Sequence, residues 1–264
     1  MSDLLAHSDG AAPLLAIFTD FDGTLVEIAE TPDAVEVSSA LTDQLDRALV
    51  DFDHAFAVLT GREIADIDRF LAPLNLPIAG AHGAERRRAD GSMDLPDATV
   101  VESARDIAAA LEPLVQSHPE LLVEPKQAAV ALHFRQAPDL EGVCHLAVQE
   151  AVLHHADFTL VPGKMVIEAR PAAFDKGAAL KAFMQEEPFA GRTPIFIGDD
   201  RTDEDAFRAA QELGGMGIKL GPGETSARMR IADVSSVHAL LRGLGDMATR
   251  QRPAEPILAD TVAH

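Results

Sequence analysis

Short apolar runs and amphipathic stretches alternate from residue 14 to about residue 83; the alternation then breaks, and it resumes after residue 172. "LLAIFT" (14–19), "AFAVLT" (55–60) and "PIAGAHG" (77–83) have the length and content of buried strands. "SSALTDQLDRALVDF" (38–52), with Ser38 or Ser39 as a cap, and "REIADIDRFLAPL" (62–74) have helical periodicity. The same texture returns in "DKGAALKAFMQE" (175–186), "TPIFIG" (193–198), "TDEDAFRAAQEL" (202–213), "GMGIKL" (215–220) and "SSVHALLRGLGDMA" (235–248). Strand–helix alternation predicts a parallel sheet with helices on its faces. The middle is different. "GAERRRADGSMDL" (83–95) suggests a hairpin around Asp90 and Gly91. It is followed by a helix over 99–118, two strands within 121–135 around a turn at 125–127, a helix over 139–155, and a strand–turn–strand over 158–171. That order predicts an antiparallel sheet covered by helices. The chain is therefore α/β: a parallel-sheet core (1–83 and 172–264) split by an inserted α+β unit (84–171). The tail "RQRPAEPILADTVAH" has no clear period and is expected to fray.

The net charge is −21, from 22 basic and 43 acidic residues. A nucleic-acid binder needs a basic surface to displace counterions, and an anionic membrane repels such a chain. Neither partner is expected, although a local basic pocket still admits a small anion. Cys144 is the single cysteine, so no internal disulfide forms and a reducing, cytoplasmic setting fits. No apolar run reaches membrane-spanning length and the N-terminus lacks the form of a signal peptide.

Four polar stretches fall at the carboxyl ends of strands or the start of a helix: Asp20-Phe21-Asp22-Gly23-Thr24, Thr60-Gly61-Arg62, Lys176, and "GDDRTDED" (198–205). In an open parallel sheet that edge is where ligands bind. Two carboxylates one residue apart raise each other's cost of ionisation, so a cation or a division of labour is expected there. A hydroxyl, an ammonium and further carboxylates complete an inventory suited to phosphoryl transfer, which is mostly positioning and electrostatics. Read singly, each has a plainer meaning. Asp20 and Asp22 also suit an Asx-turn and a cap, Thr60 a helix cap, Lys176 a solvated lysine, and Asp203 a helix-start charge. Asp199 and Asp200 after "IFIG" suit a hard cation with oxygen ligands.

In that order "DFDGT", "TGR", a lysine opening a helix and "GDDRTDED" resemble the haloacid dehalogenase-like phosphatases. "GAHGAE" (80–85), "EPKQAAVALHFR" (124–135), "GKMVIEARP" (163–171) and "DKGAAL" (175–180) narrow the resemblance to the trehalose-6-phosphate phosphatase family. The resemblance implies a Rossmann-like core with a cap domain, and a Mg²⁺-dependent enzyme releasing trehalose and phosphate from a small sugar phosphate. By the same resemblance Asp20 is the nucleophile and forms an aspartyl phosphate. Asp22 is the general acid and base. Mg²⁺ is held by Asp20, the backbone carbonyl of Asp22 and Asp199, with Asp200 and Asp203 orienting its surroundings. Thr60 and Lys176 hold the phosphoryl oxygens. Arg62, His82, Glu124, Lys126, Lys164 and Glu168 are expected at the sugar, with His133 and Arg170 as further contacts.

Several of these also have a plainer reading: Lys126 and Arg170 suit a solvated face, and Lys164 and Glu168, four apart in a strand, suit a simple salt bridge. A stand-alone monomer is expected. Two other readings stay open on the sequence. One is the same chemistry on sucrose phosphate, mannosyl-3-phosphoglycerate or a hexose phosphate; the other is a non-catalytic sugar-phosphate-binding module.

Overall fold

The structure is a computed structural model that describes residues 13–29, 31–163 and 165–251. The core elements before the insert are β1 (Leu15–Thr19), α1 (Ser39–Asp51), β2 (Phe56–Leu59), α2 (Ile64–Leu71) and β3 (Ile78–Gly80). The hairpin β4 (Glu85–Arg87) and β5 (Met93–Asp94) follows. The insert then runs α3 (Ala98–Ser117), β6 (Leu122–Pro125), β7 (Val130–His133), α4 (Glu141–Val152), β8 (Phe158–Gly163) and β9 (Val166–Pro171). The core resumes with α5 (Lys176–Phe183), β10 (Thr193–Gly198), α6 (Glu204–Glu212), β11 (Met216–Leu220), β12 (Met229–Ile231) and α7 (Val234–Gln251).

The larger sheet has the order β12-β11-β10-β1-β2-β3-β4-β5. It is parallel from β12 to β3 and antiparallel thereafter. All five residues of β1 are buried, as expected of a central strand covered on both faces. Alternation along β1 sends Leu15 and Ile17 to one face with Leu41, Leu45 and Ile67, and Ala16 and Phe18 to the other with Leu180, Phe183 and Phe207. Helix α1 buries Leu41, Leu45, Ala48 and Leu49, the spacing of a single helical stripe, and starts where Leu41 N–H donates to Ser38 Oγ at 3.2 Å. Phe18, Phe183 and Phe189 form a cluster with centroids 5.1–6.0 Å apart. Each such ring contributes about 1.5–3 kcal/mol by leaving water.

The hairpin read from sequence as the first part of the insert pairs with β3 and extends this larger sheet. The strand β12 had no counterpart in the sequence reading, and α2 is shorter than the stretch that suggested it. The residues beyond 251, read as a frayed tail, lie outside the described residues.

The second sheet, β6-β7-β9-β8, is wholly antiparallel. Val130, Leu132, Ile167 and Ala169 point to one face and pack with Ile107, Leu111, Cys144 and Val148 of the covering helices. The opposite face carries the alternate positions, among them Glu124, His133, Glu168 and Arg170. No helix among the described residues is long and apolar enough to cross a membrane.

Candidate active site

The carboxyl end of β1 leads straight into Asp20, whose N–H donates to Ile197 O of β10 at 2.9 Å. The neighbouring strands deliver Thr60 after β2 and Asp199 after β10 to the same edge. Helix α5 starts where Asp175 accepts from Ala178 N–H at 2.7 Å, so its first residue, Lys176, enters this edge from the side. Gly23 has φ +72°, and a Cβ there would lie 2.4 Å from Asp199 Oδ2. The turn after Asp22 therefore requires glycine both for its backbone and for the carboxylate pressed against it.

Lys176 Nζ lies 2.8 Å from Asp20 Oδ1 and 2.6 Å from Asp203 Oδ1, and all three side chains are buried. Asp203 Oδ2 accepts from Asp200 N–H at 2.9 Å, so both of its oxygens are engaged. Asp200 itself is exposed. Thr24 Oγ1 donates to Asp199 Oδ1 at 3.3 Å. Oxygens of Asp20, Asp199 and Asp203 all lie within 4.8 Å of one another.

Burial pushes the Asp20 carboxyl well above the usual range and Asp203 adds to this, while the Lys176 ammonium opposes both. Burial, with the charges of Asp203 and Asp200, pushes Asp199 up to about 6. Burial disfavours the Lys176 ammonium, yet Asp20 and Asp203 outweigh it and raise its pKa. One ammonium bonded to two of three crowded carboxylates leaves surplus negative charge. A hard divalent cation with oxygen ligands fits that surplus, and Asp20 and Asp199 are the carboxylates with capacity to hold it.

Asp22 and Arg62 were expected in different roles and the structure pairs them. Arg62 Nε donates to Asp22 Oδ2 at 2.6 Å and Nη2 to Oδ1 at 2.8 Å. Thr60 does not cap α2. Its Oγ1 accepts from Arg62 N–H at 3.1 Å, and the buried Glu85 carboxylate takes Ile64 N–H at the helix start instead.

Where the core meets the inserted sheet, Lys126 Nζ lies 2.9 Å from Glu168 Oε1, and His82 Nε2 lies 3.6 Å from Glu168 Oε2. Glu124 pairs with His133 at 2.7 Å. His82 has φ +58°, and burial together with Lys176, Arg170 and Lys126 holds its pKa well below the ordinary value. That histidine thus senses Lys176 of the core and two cations of the insert at once. Its Nδ1, and Nε and Nη1 of Arg170, are buried without a hydrogen-bond partner. Lys164 lies outside the described residues.

Sequence reasoning missed Lys219, a buried lysine in β11 that donates to the carbonyl oxygens of Asp199 and Leu220. Its signal was present: one charge inside the apolar run "GMGIKL". It also missed Glu85, whose helix-capping partner is distant in sequence.

A parallel sheet with a buried Asp–Lys–Asp chain at its carboxyl edge, facing an inserted antiparallel sheet, is the plan of a haloacid dehalogenase-like phosphatase with a cap. A phosphatase of that superfamily from Bacteroides thetaiotaomicron matches in fold, with TM-score 0.60 at 17% identity, covering 93% of this chain and 99% of that one. The chain belongs to the trehalose-phosphatase family, whose model matches residues 18–236. It is 40% identical over 244 residues to the trehalose-6-phosphate phosphatase of Escherichia coli, covering 91% of this chain and 90% of that protein. The crystal structure of a trehalose-6-phosphate phosphatase related protein aligns with TM-score 0.74 at 28% identity, covering 90% of this chain and 100% of that one.

Proposed function

We propose that this protein hydrolyses trehalose 6-phosphate to trehalose and phosphate, through an aspartyl phosphate on Asp20. The observation that carries the reading is the buried Asp20–Lys176–Asp203 chain at the strand ends, with Asp199 beside it. An Asp20 oxygen attacks phosphorus as the bond from phosphorus to the sugar oxygen breaks, and Asp22 gives that oxygen its proton. Asp22 then takes a proton from water, whose oxygen attacks phosphorus, releases phosphate and restores the Asp20 carboxylate. Lys176 and Thr60 hold the phosphoryl oxygens. Their donors face charge that develops during transfer, in a site that excludes most water. Asp20, Asp199 and the Asp22 carbonyl would hold Mg²⁺, which offsets the repulsion between nucleophile and phosphate when bound. Asp203 positions Lys176, and Asp200 supports Asp203 through its N–H.

The insert acts as the cap that closes over the sugar. Its open face offers Glu124, Lys126 and Glu168, with His82 at the junction, as donors and acceptors for sugar hydroxyls; Lys164, expected beside them from the sequence, lies outside the described residues. Counted by sheet membership, this cap begins after the hairpin β4–β5 and ends with β9.

Glu168→Ala tests the cap assignment. It is expected to lower kcat/KM for trehalose 6-phosphate by about 10–100-fold, the worth of one or two charge-assisted hydrogen bonds. Hydrolysis of p-nitrophenyl phosphate, which has no sugar, should fall far less. Equal losses on the two esters would remove Glu168 from the sugar site.

A further inference from the structure

The clamp on Asp22 is the feature that the reaction above does not use. The Asp22 carboxylate is about a third exposed, with a side-chain exposure of 35%, yet both oxygens lie in the guanidinium fork of Arg62. The guanidinium is itself held, with its central carbon 5.0 Å from the ring centroid of Phe70 and 5.9 Å from that of Phe21. Asp66 and Asp33 add favourable charge at Arg62. A bidentate guanidinium takes one lone pair on each oxygen and fixes the plane of the carboxylate, so Asp22 cannot turn toward a leaving group or a water without breaking the fork. The pair is therefore closed for catalysis as it stands.

The loop that carries Arg62 also touches the cap. Gln127 N–H, in the β6–β7 turn, donates to Glu63 Oε1 at 3.3 Å. A Cβ at Gly61 would lie 2.6 Å from His82 Nε2, and that same atom lies 3.6 Å from Glu168 of the cap sheet. The Arg62 carbonyl accepts from Ala81 N–H at 2.7 Å, next to His82. Residues 60–63 thus join the phosphate-binding hydroxyl, the clamp, one direct contact with the cap and one through His82 in a short segment.

We propose that Arg62 is a latch on Asp22, opened through the 61–63 loop when a sugar seats against the cap, so that Asp22 is released to the reacting atoms only behind the correct substrate. Arg62 is then a positioning residue that sets specificity, in place of the direct sugar contact expected from sequence. The inference rests on Asp22 as the proton carrier. For an aryl phosphate the phenolate leaves without a proton, and the step that needs Asp22 is hydrolysis of the aspartyl phosphate. Such a substrate cannot engage the cap, so the latch stays shut and turnover is held back.

The test compares initial rates of phosphate release from trehalose 6-phosphate and p-nitrophenyl phosphate in the wild type, Arg62→Gln and Arg62→Lys. Both variants should gain up to about tenfold on the aryl ester, the factor won when a state populated about a tenth of the time becomes dominant. The disaccharide rate should change by less than about threefold, so selectivity falls. In an Asp22→Asn background, Arg62→Gln should have no further effect on either ester. Parallel losses on both esters, or a loss confined to the disaccharide, would overturn the latch. Glu63→Ala keeps the proposal testable if the Arg62 variants do not fold. It should slow the disaccharide relative to the aryl ester, and an unchanged ratio counts against the relay. A wild type inert on every phosphomonoester would instead sink the phosphatase reading itself.

Discussion

Asp20→Asn is expected to abolish turnover, lowering kcat for trehalose 6-phosphate by about 10⁴-fold or more, as loss of a nucleophile does. The variant should remain folded. Asn fills the same volume, and the change removes one of three carboxylates whose oxygens lie within 4.8 Å of one another. Burial already disfavours the ionised Asp20, so its loss relieves a cost in the folded state. Thermal melting at or above the wild-type temperature, together with absent turnover and no acid-stable phosphoenzyme, is the predicted pattern. An inactive variant that melts much lower would locate the effect in folding and leave the nucleophile unassigned.

Lys176→Met should produce the second large effect, and on stability as well as rate. The ammonium is 2% exposed and bonds both Asp20 and Asp203, which are buried as well. Removing one partner of a buried ionic cluster leaves uncompensated charge and costs about 3–5 kcal/mol. Chemical denaturation in EDTA reads this without support from bound metal. The sign with pH follows from the carboxyls. The folded state holds Asp20 well above its unfolded pKa, so ionising it costs folded stability that is lost as pH rises. Without Lys176 that cost grows. The deficit of the variant should therefore be larger at pH 8 than at pH 5. A deficit independent of pH would show that Lys176 contributes packing alone.

The core was legible because its signals are local. "LLAIFT" and "TPIFIG" are short apolar runs that end in acids, and a strand buried on both faces has no other way to be written. The two faces of the cap sheet were legible for a similar reason. Glu168 and Arg170 alternate with Ile167 and Ala169 along β9, and the period alone separates them.

What was not legible depends on where a side chain or a hairpin edge ends up across the chain. The hairpin near Asp90 and Gly91 was visible, yet nothing local says that β4 pairs with β3 and not with the inserted sheet. Arg62 follows Thr60 closely enough to suggest a ligand contact, but its long side chain reaches Asp22, forty positions earlier in the sequence. Thr60 has the chemistry of a helix cap and lies near a helix start, and Glu85 occupies that role from 21 positions away. Each is a choice among chemically equivalent partners, and only the packed structure makes it.

The most direct test of the whole account is phosphate release by the purified protein from a panel of esters, with Mg²⁺ and with EDTA. The panel holds trehalose 6-phosphate, glucose 6-phosphate, sucrose 6-phosphate, mannosyl-3-phosphoglycerate and p-nitrophenyl phosphate. Metal-dependent release with strong preference for trehalose 6-phosphate is expected. Preference for another sugar phosphate would contradict the substrate while keeping the chemistry of Asp20. Silence across the panel from a folded protein would contradict phosphatase activity and favour a module that binds sugar phosphate without turning it over.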